Sequence, residues 1–461
     1  MLFSSNVFLF AYLPCVLAVY YLLPRWLRNP FLLLASLLFY GWGEPVYLLL
    51  MVVTIGLNYL FGAWIHHRRS RGRDARGVLV ISVAVNLLLL GYFKYMGFLM
   101  ETVKDLIPAL SDLQVPQITL PIGISFYIFQ SMSYVIDVYR DDAPVQKNPL
   151  TFGTYIALFP QLIAGPIVRY IDVAEQMDHR RENLSDFAAG VMLFVVGLAK
   201  KVLLANSMGA LWDMLVSQQG TLVSWVGIVA YSFQIYFDFS GYSDMARGLG
   251  RMLGFRFLEN FNYPYISRSV TEFWRRWHIS LSTWFREYVY IPLGGNRKGL
   301  PRQILNLLIV WLLTGFWHGA SWNFVLWGLY YALWLIAEKV FLLNLLEKLP
   351  KPVRHIYTLV IVVLGWALFY FEDMGALGSF LGRLFRFVPS SREGLNLVSA
   401  YLPLLCAAAI ASVPAGSYLL KRWENRPAVR VLRILAAGAA LMLCVAALAS
   451  QSYNPFIYFR F

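Results

Sequence analysis

Residues 309–336 read IVWLLTGFWHGASWNFVLWGLYYALWLI, an apolar and aromatic run with no Asp, Glu, Lys or Arg and a single histidine, His318. The run is long enough to cross a lipid bilayer, which takes about 20 apolar residues in a helix. Desolvating an ionisable side chain at that depth is costly, so His318 is a candidate functional residue. Gly319 beside it lets a backbone or a substrate approach closely. The alternative interpretation is a neutral histidine that a neighbouring helix satisfies by hydrogen bonding.

The composition of the whole chain indicates many such segments. Hydrophobic residues make up 59% of the 461 residues and charged residues 14%, and the mean hydropathy is +0.58. Soluble domains are about 45–50% apolar and about 25% charged. Because apolar runs recur along almost the entire length, we expect an all-α polytopic membrane protein of about eleven transmembrane helices. No soluble stretch is long enough to fold separately, which predicts a single membrane domain over residues 1–461.

The formal net charge of +14 indicates an orientation in the membrane and not nucleic-acid binding. The basic residues are concentrated in short loops, of which residues 66–73 are the strongest cluster and residues 421–433 a later one. Positively charged loops stay in the cytosol, so we expect both the N-terminus and the C-terminus on the outer side. Anionic lipid headgroups are expected partners of these loops, and some of the loops can also serve an anionic cytosolic donor.

Breaks and cysteines narrow the possibilities further. Residues 159–166 (FPQLIAGP) are apolar but are interrupted by two prolines and a glycine, which predicts a re-entrant segment instead of a straight helix. The three cysteines, Cys15, Cys406 and Cys444, all lie within apolar runs, so neither a disulfide framework nor a cysteine-based metal site is expected. The few histidines do not supply the three or four ligands of a zinc site either.

Residues 271–290 combine aromatic and basic residues in a helical pattern. The aromatic and apolar members recur at spacings of three and four and would share one face: Trp274, Trp277, Leu281, Trp284 and Tyr288. This pattern predicts an amphipathic helix in the headgroup plane. The basic residues around it are candidates for binding a phosphate-bearing donor: Arg275, Arg276, Arg286, Arg297 and Lys298. The alternative is a membrane anchor with snorkelling arginines.

A second polar cluster, residues 238–244 (DFSGYSD), ends an aromatic-rich apolar span in this interpretation. Carboxylates near a helix end can cap the helix, pair with arginine or hydrogen-bond a substrate. For Asp238 we favour a structural ion pair, and the alternative is that it lines a cavity.

Several stretches together resemble the membrane-bound O-acyltransferase (MBOAT) family. They are residues 159–166 with Arg169, and residues 238–244, 273–280, 285–295, 314–322 and 454–461, and the opening residues 1–23 add a further likeness. Their order and their aromatic composition are specific. The resemblance is strongest to the bacterial branch of the family, whose members acylate alginate, peptidoglycan and teichoic acids.

The resemblance implies acyl transfer across a bacterial inner membrane. Transmembrane, re-entrant and interfacial helices would surround a central tunnel. Acetyl-CoA would dock on the cytosolic side as the donor, no cofactor would be bound, and the acyl group would leave on the outer side. The family's catalytic histidine corresponds to His318, and a second, frequently polar position corresponds to His278. An extracytoplasmic partner of the SGNH-hydrolase type would pass the acetyl group to the polymer.

The chemistry of acyl transfer fits the residues around His318 independently of the resemblance. A neutral imidazole can take the proton of a hydroxyl nucleophile as general base and later return it to the leaving thiolate. Trp317 and Trp322 can narrow the site and exclude water, which would otherwise hydrolyse a thioester. Asn323 is a candidate donor to the developing oxyanion.

The chain end suggests where the hydroxyl comes from. Residues 456–461 (FIYFRF) resemble the C-terminal aromatic motif of the acetylation and D-alanylation systems, in which a tyrosine is thought to carry the acyl group. Tyr458 is the corresponding residue here. The alternatives are an aromatic anchor at the membrane interface and direct transfer of the acyl group to a serine of the partner.

The sequence thus predicts a membrane O-acetyltransferase for an extracellular or cell-envelope polysaccharide, alginate-like or peptidoglycan. His318 would be the catalytic base, His278 a supporting residue on the cytosolic side and Tyr458 a relay. A transporter or flippase that uses the same tunnel without covalent chemistry is the main alternative, because broken spans and polar groups at membrane depth suit it too. A scaffold that only recruits a partner enzyme is a third possibility.

Overall fold

All regular secondary structure among the described residues is helical, as the composition predicts. The computed structural model describes residues 1–110, 112, 114–163, 165–423, 426–450 and 456–457, without the side chains of residues 417 and 419–421. The chain divides into two compact units. Unit 1 comprises Met1–Phe194 and Met245–Leu258, and unit 2 comprises Val195–Asp244 and Glu259–Phe461.

Unit 1 is built from helices of very different lengths. Its long helices are Leu48–Ser70 and Arg76–Leu90, and the π-helical turn Gly91–Tyr95 continues the second into Met96–Leu106. The shorter elements are Phe8–Tyr12, Leu13–Leu22, Arg25–Gly41, Pro108–Leu110, Ile124–Arg140, Pro149–Ala157, Phe159–Leu162, Tyr170–His179 and the start of Leu184–Ala199. The buried amides of Asn58 and Asn86 exchange hydrogen bonds of 3.1 and 2.8 Å, which pairs the two long helices.

Unit 2 contains the candidate site. In chain order, its helical elements are Lys200–Ala205, Asn206–Leu215, Thr221–Met252, Pro264–Ile266, Val270–Arg276, Ile279–Phe285, Arg286–Tyr290, Leu300–His318, Trp322–Ala337, Glu338–Leu342, Leu343–Leu346, Lys351–Tyr370, Met374–Phe385, Arg392–Ala411, Ala415–Trp423 and Pro427–Ser450. Thr221–Met252 contributes to both units, because residues from Met245 onwards belong to unit 1.

The described part of the chain has nine helices long and apolar enough to cross a membrane, fewer than the eleven expected. Phe8–Leu22 is a shorter apolar helix, and Arg25–Gly41 and Ile124–Arg140 have 17 residues each. Ile124–Arg140 is buried along almost its whole length within the protein. This helix is therefore apolar because it packs against other parts of the protein. Sequence alone does not distinguish burial in protein from burial in lipid.

Two expected spans have different bounds in the structure. The run 309–336 is not one crossing, because one helix ends at His318 and the next begins at Trp322. The span expected to end near residue 239 continues to Met252, so the polar cluster 238–244 lies inside a helix and not at its end. The expected break at residues 159–166 is present as the four-residue buried helix Phe159–Leu162.

Two glycines let the helices on either side of His318 touch through their backbones. A Cβ atom at Gly315 would lie 2.3 Å from the carbonyl oxygen of Phe324, and one at Gly328 would lie 2.4 Å from the carbonyl oxygen of Trp311. Both distances are far inside van der Waals contact with backbone atoms, which cannot move aside cheaply. Close backbone approach through small residues is a common way for membrane helices to associate.

Substitution of Gly328 by alanine should therefore destabilise the protein. Overpacking of this kind costs about 1–3 kcal/mol, and the added methyl group would push Leu300–His318 and Trp322–Ala337 apart. Gly438→Ala is the matched control, since an added Cβ at Gly438 meets nothing within 4 Å. We expect a lower thermal midpoint for purified Gly328→Ala and an unchanged or slightly higher one for Gly438→Ala. Equal midpoints for the two variants would contradict this account of the helix pair.

Candidate active site

His318 lies at the bend between two helices of unit 2. It is the last residue of Leu300–His318, it is only 4% exposed, and the extended residues that follow lead directly into Trp322–Ala337. The short connection and the glycine contacts below it hold the imidazole at one fixed point of the fold. The histidine is buried as expected, but it lies at a helix end and not in the middle of a span.

Three aromatic rings pack edge-on against the imidazole of His318. The ring centroids of Trp317, Trp327 and Phe369 lie 5.0, 5.0 and 5.3 Å from that of the imidazole. Trp327 and Phe369 are fully buried, and sequence analysis did not select either of them. Their positions in the neighbouring helices Trp322–Ala337 and Lys351–Tyr370 become visible only once those helices are packed.

Two further residues predicted near His318 have different surroundings. Trp322 is 55% exposed, which does not fit its expected role in excluding water from the site. Asn323 is fully buried, and its amide nitrogen donates a 3.1 Å hydrogen bond to the carbonyl oxygen of Phe369. One of the two N–H bonds of that amide is thus engaged.

His278 interrupts the segment predicted as a continuous amphipathic helix. Helix Val270–Arg276 ends before it, Ile279–Phe285 begins after it, and His278 itself has a left-handed φ of 47°. A left-handed conformation costs roughly 1–2 kcal/mol for a residue with a Cβ atom. The aromatic residues expected to face lipid, Trp274, Trp277 and Trp284, are buried inside unit 2 instead. The expectation of one interfacial helix over residues 271–290 is therefore wrong.

Asn260 holds His278 in this conformation and determines its tautomer. Asn260 Oδ1 accepts hydrogen bonds from the backbone nitrogen and the hydroxyl of Ser280, at 3.1 and 2.9 Å, and lies 3.2 Å from His278 Nδ1. Because the Ser280 nitrogen can only donate, the amide atom facing it is an oxygen, and His278 Nδ1 must carry the proton. In the neutral ring, Nε2 then has the lone pair and is the nitrogen that can accept a proton.

Burial keeps the ring of His278 neutral. Desolvation lowers the pKa of His278 to about 3, because the imidazolium would lose its hydration inside the protein. The residue lies outside the nine long apolar helices. His278 can therefore act as a neutral base or hydrogen-bonding group across the physiological pH range.

The two histidines contact the same indole. The ring centroid of Trp317 is 5.7 Å from that of His278 and 5.0 Å from that of His318. His278 also contacts Phe239, with a centroid distance of 4.6 Å. The structure thus brings together His278, Trp317 and His318, which the sequence analysis singled out in separate segments.

Glu338 caps the helix that leads to His278. Its carboxylate is 1% exposed and accepts hydrogen bonds from Val270 N at 2.7 Å, from Thr271 N at 2.8 Å, and from the Thr271 hydroxyl at 2.7 Å. A carboxylate at a helix N-terminus satisfies backbone donors that have no partner within the helix. Sequence analysis missed this residue, although a glutamate in an otherwise apolar run is a signal in itself.

A buried ion pair next to this cluster binds the backbone of Ile457. Lys201 Nζ lies 2.5 Å from Asp238 Oδ1, and both side chains are almost fully buried. Asp238 Oδ2 accepts a 2.7 Å hydrogen bond from the backbone nitrogen of Ile457. The ring of Phe456 contacts Phe239 at 5.9 Å. The predicted relay, Tyr458, follows Ile457 in sequence and lies outside the described residues.

The structural ion-pair role favoured for Asp238 is present, but with lysine instead of arginine. A second pair, Lys200 Nζ to Asp244 Oδ2 at 2.7 Å, lies beside it. Both lysines belong to the π-helical segment Lys200–Ala205, and such irregular turns are frequent at functional sites. Two adjacent lysines within an apolar run are the sequence signal that would have identified this network.

The residues predicted to bind the donor differ in their partners and in their exposure. Arg276 bonds to Glu272 and to the Asn262 carbonyl oxygen, and Arg286 lies 2.5 Å from Glu287. The remaining three, Arg275, Arg297 and Lys298, are exposed. Most of this positive charge is available at the surface of unit 2, where it can attract phosphate groups.

Comparison with known proteins shows the family to which the chain belongs. The family model described as "MBOAT, membrane-bound O-acyltransferase family" matches residues 140–372. The chain is 40% identical to a probable alginate O-acetylase, AlgI, of Azotobacter vinelandii, over 100% of both chains. It is 35% identical to a peptidoglycan O-acetyltransferase of Helicobacter pylori, over 81% of this chain and 78% of that protein. Against a teichoic acid D-alanyltransferase of Bacillus subtilis the identity is 29%, over 48% and 59%.

The helices of membrane-spanning length and the match to the family model together identify an integral membrane acyltransferase. The chain belongs to the membrane-bound O-acyltransferase family, and it is an O-acyltransferase. The resemblance seen in the sequence is therefore confirmed.

The neutral state of His278 predicts a pH dependence of stability. Between its ordinary pKa of 6.5 and its folded-state pKa of about 3, the unfolded chain binds a proton at this residue and the folded protein does not. Stability therefore falls as the pH falls through this window, by about 2 kcal/mol from pH 6.5 to pH 5 for this group. His278→Gln keeps a donor for Asn260 but cannot titrate. We expect the thermal midpoint to fall less for this variant than for the wild type between pH 7 and pH 5, and equal losses would refute the buried neutral imidazole.

Proposed function

We propose that this O-acyltransferase moves acetyl groups from cytosolic acetyl-CoA across a bacterial inner membrane for O-acetylation of an extracellular or cell-envelope polysaccharide. The observation that carries the proposal is the pair of buried imidazoles that both contact Trp317. The names of the relatives, alginate O-acetylase and peptidoglycan O-acetyltransferase, support acetyl as the transferred group and a polysaccharide as its destination.

In the proposed reaction the acyl group moves from sulfur to oxygen. A hydroxyl oxygen attacks the thioester carbonyl carbon, the new C–O bond forms as the C–S bond breaks, and the hydroxyl proton passes through His318 to the thiolate. The remaining N–H of Asn323 is the proposed donor to the oxyanion. The rings of Trp317, Trp327 and Phe369 exclude water from the imidazole. His278 supports the reaction through the lone pair of Nε2, which can accept a hydrogen bond from a reacting group.

The donor would approach from the cytosol. We propose that the surface cations of unit 2 attract the phosphate groups of acetyl-CoA: Arg275, Arg276, Arg286, Arg297 and Lys298. Because charged surface groups raise the local concentration of an oppositely charged ligand, their role is in binding and not in the chemical step. The N-terminus and the C-terminus would then both lie on the outer side, in agreement with the basic cytosolic loops.

Tyr458 is the proposed first acceptor. The backbone of Ile457, the preceding residue, is hydrogen-bonded to Asp238. Phe456 contacts Phe239, and Phe239 contacts His278. Residues 456 and 457 thus lie beside the histidine cluster, which supports acyl transfer to the tyrosine that follows them in sequence. An extracytoplasmic SGNH-type partner would take the acetyl group from Tyr458 to the polymer.

Label transfer from radioactive acetyl-CoA to the purified protein tests the proposal. We expect one acetyl group per wild-type chain, on Tyr458 by mass spectrometry of the C-terminal peptide. His318→Ala and Tyr458→Phe should both lose the label, whereas Tyr453→Phe, the matched control in the same tail, should keep it.

The alternatives predict different patterns of label. Label that survives in Tyr458→Phe but not in His318→Ala would leave the enzyme intact and move the acceptor to a partner serine. If the protein is a transporter or a scaffold, no sample should carry acetyl label. Addition of a competent partner should then produce no label that is lost in His318→Ala. That last result would contradict the proposed function.

A further inference from the structure

Unit 1 contains a positively charged cavity that has no part in the proposed reaction. Its volume is about 350 Å³. Four arginines line it, together with two carboxylates: Arg180, Arg181, Arg251, Arg256, Glu175 and Asp186. The lining therefore has an excess of positive charge, which favours an anionic occupant.

Two of the four arginines form the wall of the cavity. Arg180 donates hydrogen bonds to the hydroxyl of Tyr20 at 2.9 Å and to Asn29 Oδ1 at 2.6 Å, and its guanidinium lies 4.6 Å from the ring centroid of Phe255. Arg256 pairs with Asp186 at 2.9 Å. Both guanidinium groups are thus occupied by contacts within the protein, and these contacts fix the shape of the opening.

The guanidinium groups of the other two arginines, Arg181 and Arg251, form no hydrogen bond and no ion pair with any described residue. They line the same cavity from different parts of the chain, one before Leu184–Ala199 and the other near the end of Thr221–Met252. Two guanidinium groups with unused donors around one cavity match the geometry of a phosphate group, which accepts paired hydrogen bonds from arginine.

The turn that closes the cavity is held in place before any ligand binds. Gly254 has a left-handed φ of 84°, and a Cβ atom there would lie 3.2 Å from Glu182 Cγ. The backbone nitrogen of Arg256 donates a 2.7 Å hydrogen bond to Gln176 Oε1 in helix Tyr170–His179. The cavity is therefore preformed and not a surface that only a ligand would organise.

Exposed apolar residues border the cavity on the outside. Leu184, next to the lining residue Asn183, is 83% exposed. Tyr21, which donates to the carbonyl oxygen of Met252 beside the cavity, is followed by Leu22 at 85% and Trp26 at 75% exposure. Apolar and tryptophan side chains next to arginines are typical of the membrane–water interface. These neighbours are those expected of a cavity at the depth of lipid phosphate groups.

We propose that this cavity binds a phosphate group at the cytosolic membrane surface and that the phosphodiester headgroup of an anionic phospholipid supplies it. Basic pockets between transmembrane helices on the cytosolic side bind such headgroups in other membrane proteins. The cytosolic location rests on the orientation given under Proposed function, whereas the phosphate site itself does not.

Native mass spectrometry of the purified protein with phosphatidylglycerol tests the proposal. We expect the wild type to bind one phosphatidylglycerol with at least tenfold preference over phosphatidylcholine, and Arg181→Gln/Arg251→Gln to lose this preference. Arg386→Gln/Arg392→Gln removes the same charge from exposed positions at the two ends of a loop in unit 2 and should bind like the wild type. Glu175→Gln, which removes a competing negative charge from the lining, should bind two- to threefold more tightly.

Coenzyme A and inorganic phosphate in the same titration distinguish the source of the phosphate. If these soluble phosphates bind, and if their binding is lost in Arg181→Gln/Arg251→Gln and tightened in Glu175→Gln, the phosphate site is supported with a soluble occupant in place of lipid. If neither phosphatidylglycerol nor these soluble phosphates responds to the cavity variants, the proposal is overturned. Equal binding by the cavity variants and the loop control would overturn it as well. The gain expected for Glu175→Gln keeps the test valid even if the double arginine variant folds poorly.

Discussion

The backbone contact at Gly315 and Gly328 is the constraint on which the rest of the site depends. It brings Leu300–His318 and Trp322–Ala337 together so closely that the chain must turn within residues 319–321. His318 lies at that turn, and aromatic rings from three helices of unit 2 pack around it. A side chain on either glycine would separate the helices and open the imidazole to water or lipid.

The buried polar groups of unit 2 provide position, while the imidazoles provide chemistry. Glu338 fixes the start of the helix before His278, Asn260 fixes the ring of His278, and Asp238 holds Ile457 near the chain end. Each of these groups would be costly to bury alone, and each is paired or hydrogen-bonded within the same unit. Their hydrogen bonds and ion pairs offset the cost of burial and fix the positions of the two imidazoles that contact Trp317.

Sequence patterns identified the membrane class, the family and both histidines, because a titratable residue in an apolar aromatic run stands out whatever the fold. Sequence patterns gave wrong predictions where burial in protein and burial in lipid require the same spacing of apolar residues. Trp274, Trp277 and Trp284 have the spacing of a lipid-facing stripe, but they pack inside the protein around a left-handed break at His278. No local pattern predicts a left-handed histidine, since its stability comes from Asn260, a residue distant in sequence. The expectation that residues 1–461 form one membrane domain stays a prediction.

Release of coenzyme A thiol from acetyl-CoA in a single turnover tests the central claim most directly, because it follows the bond that His318 is proposed to help break. Wild-type protein in lipid nanodiscs should release one thiol per chain, and His66→Ala, a substitution at an exposed position of helix Leu48–Ser70, should behave the same. A general base accounts for about 100- to 10,000-fold in rate, so His318→Ala should release thiol at least about 100-fold more slowly. Thiol release at the wild-type rate from His318→Ala would contradict the account.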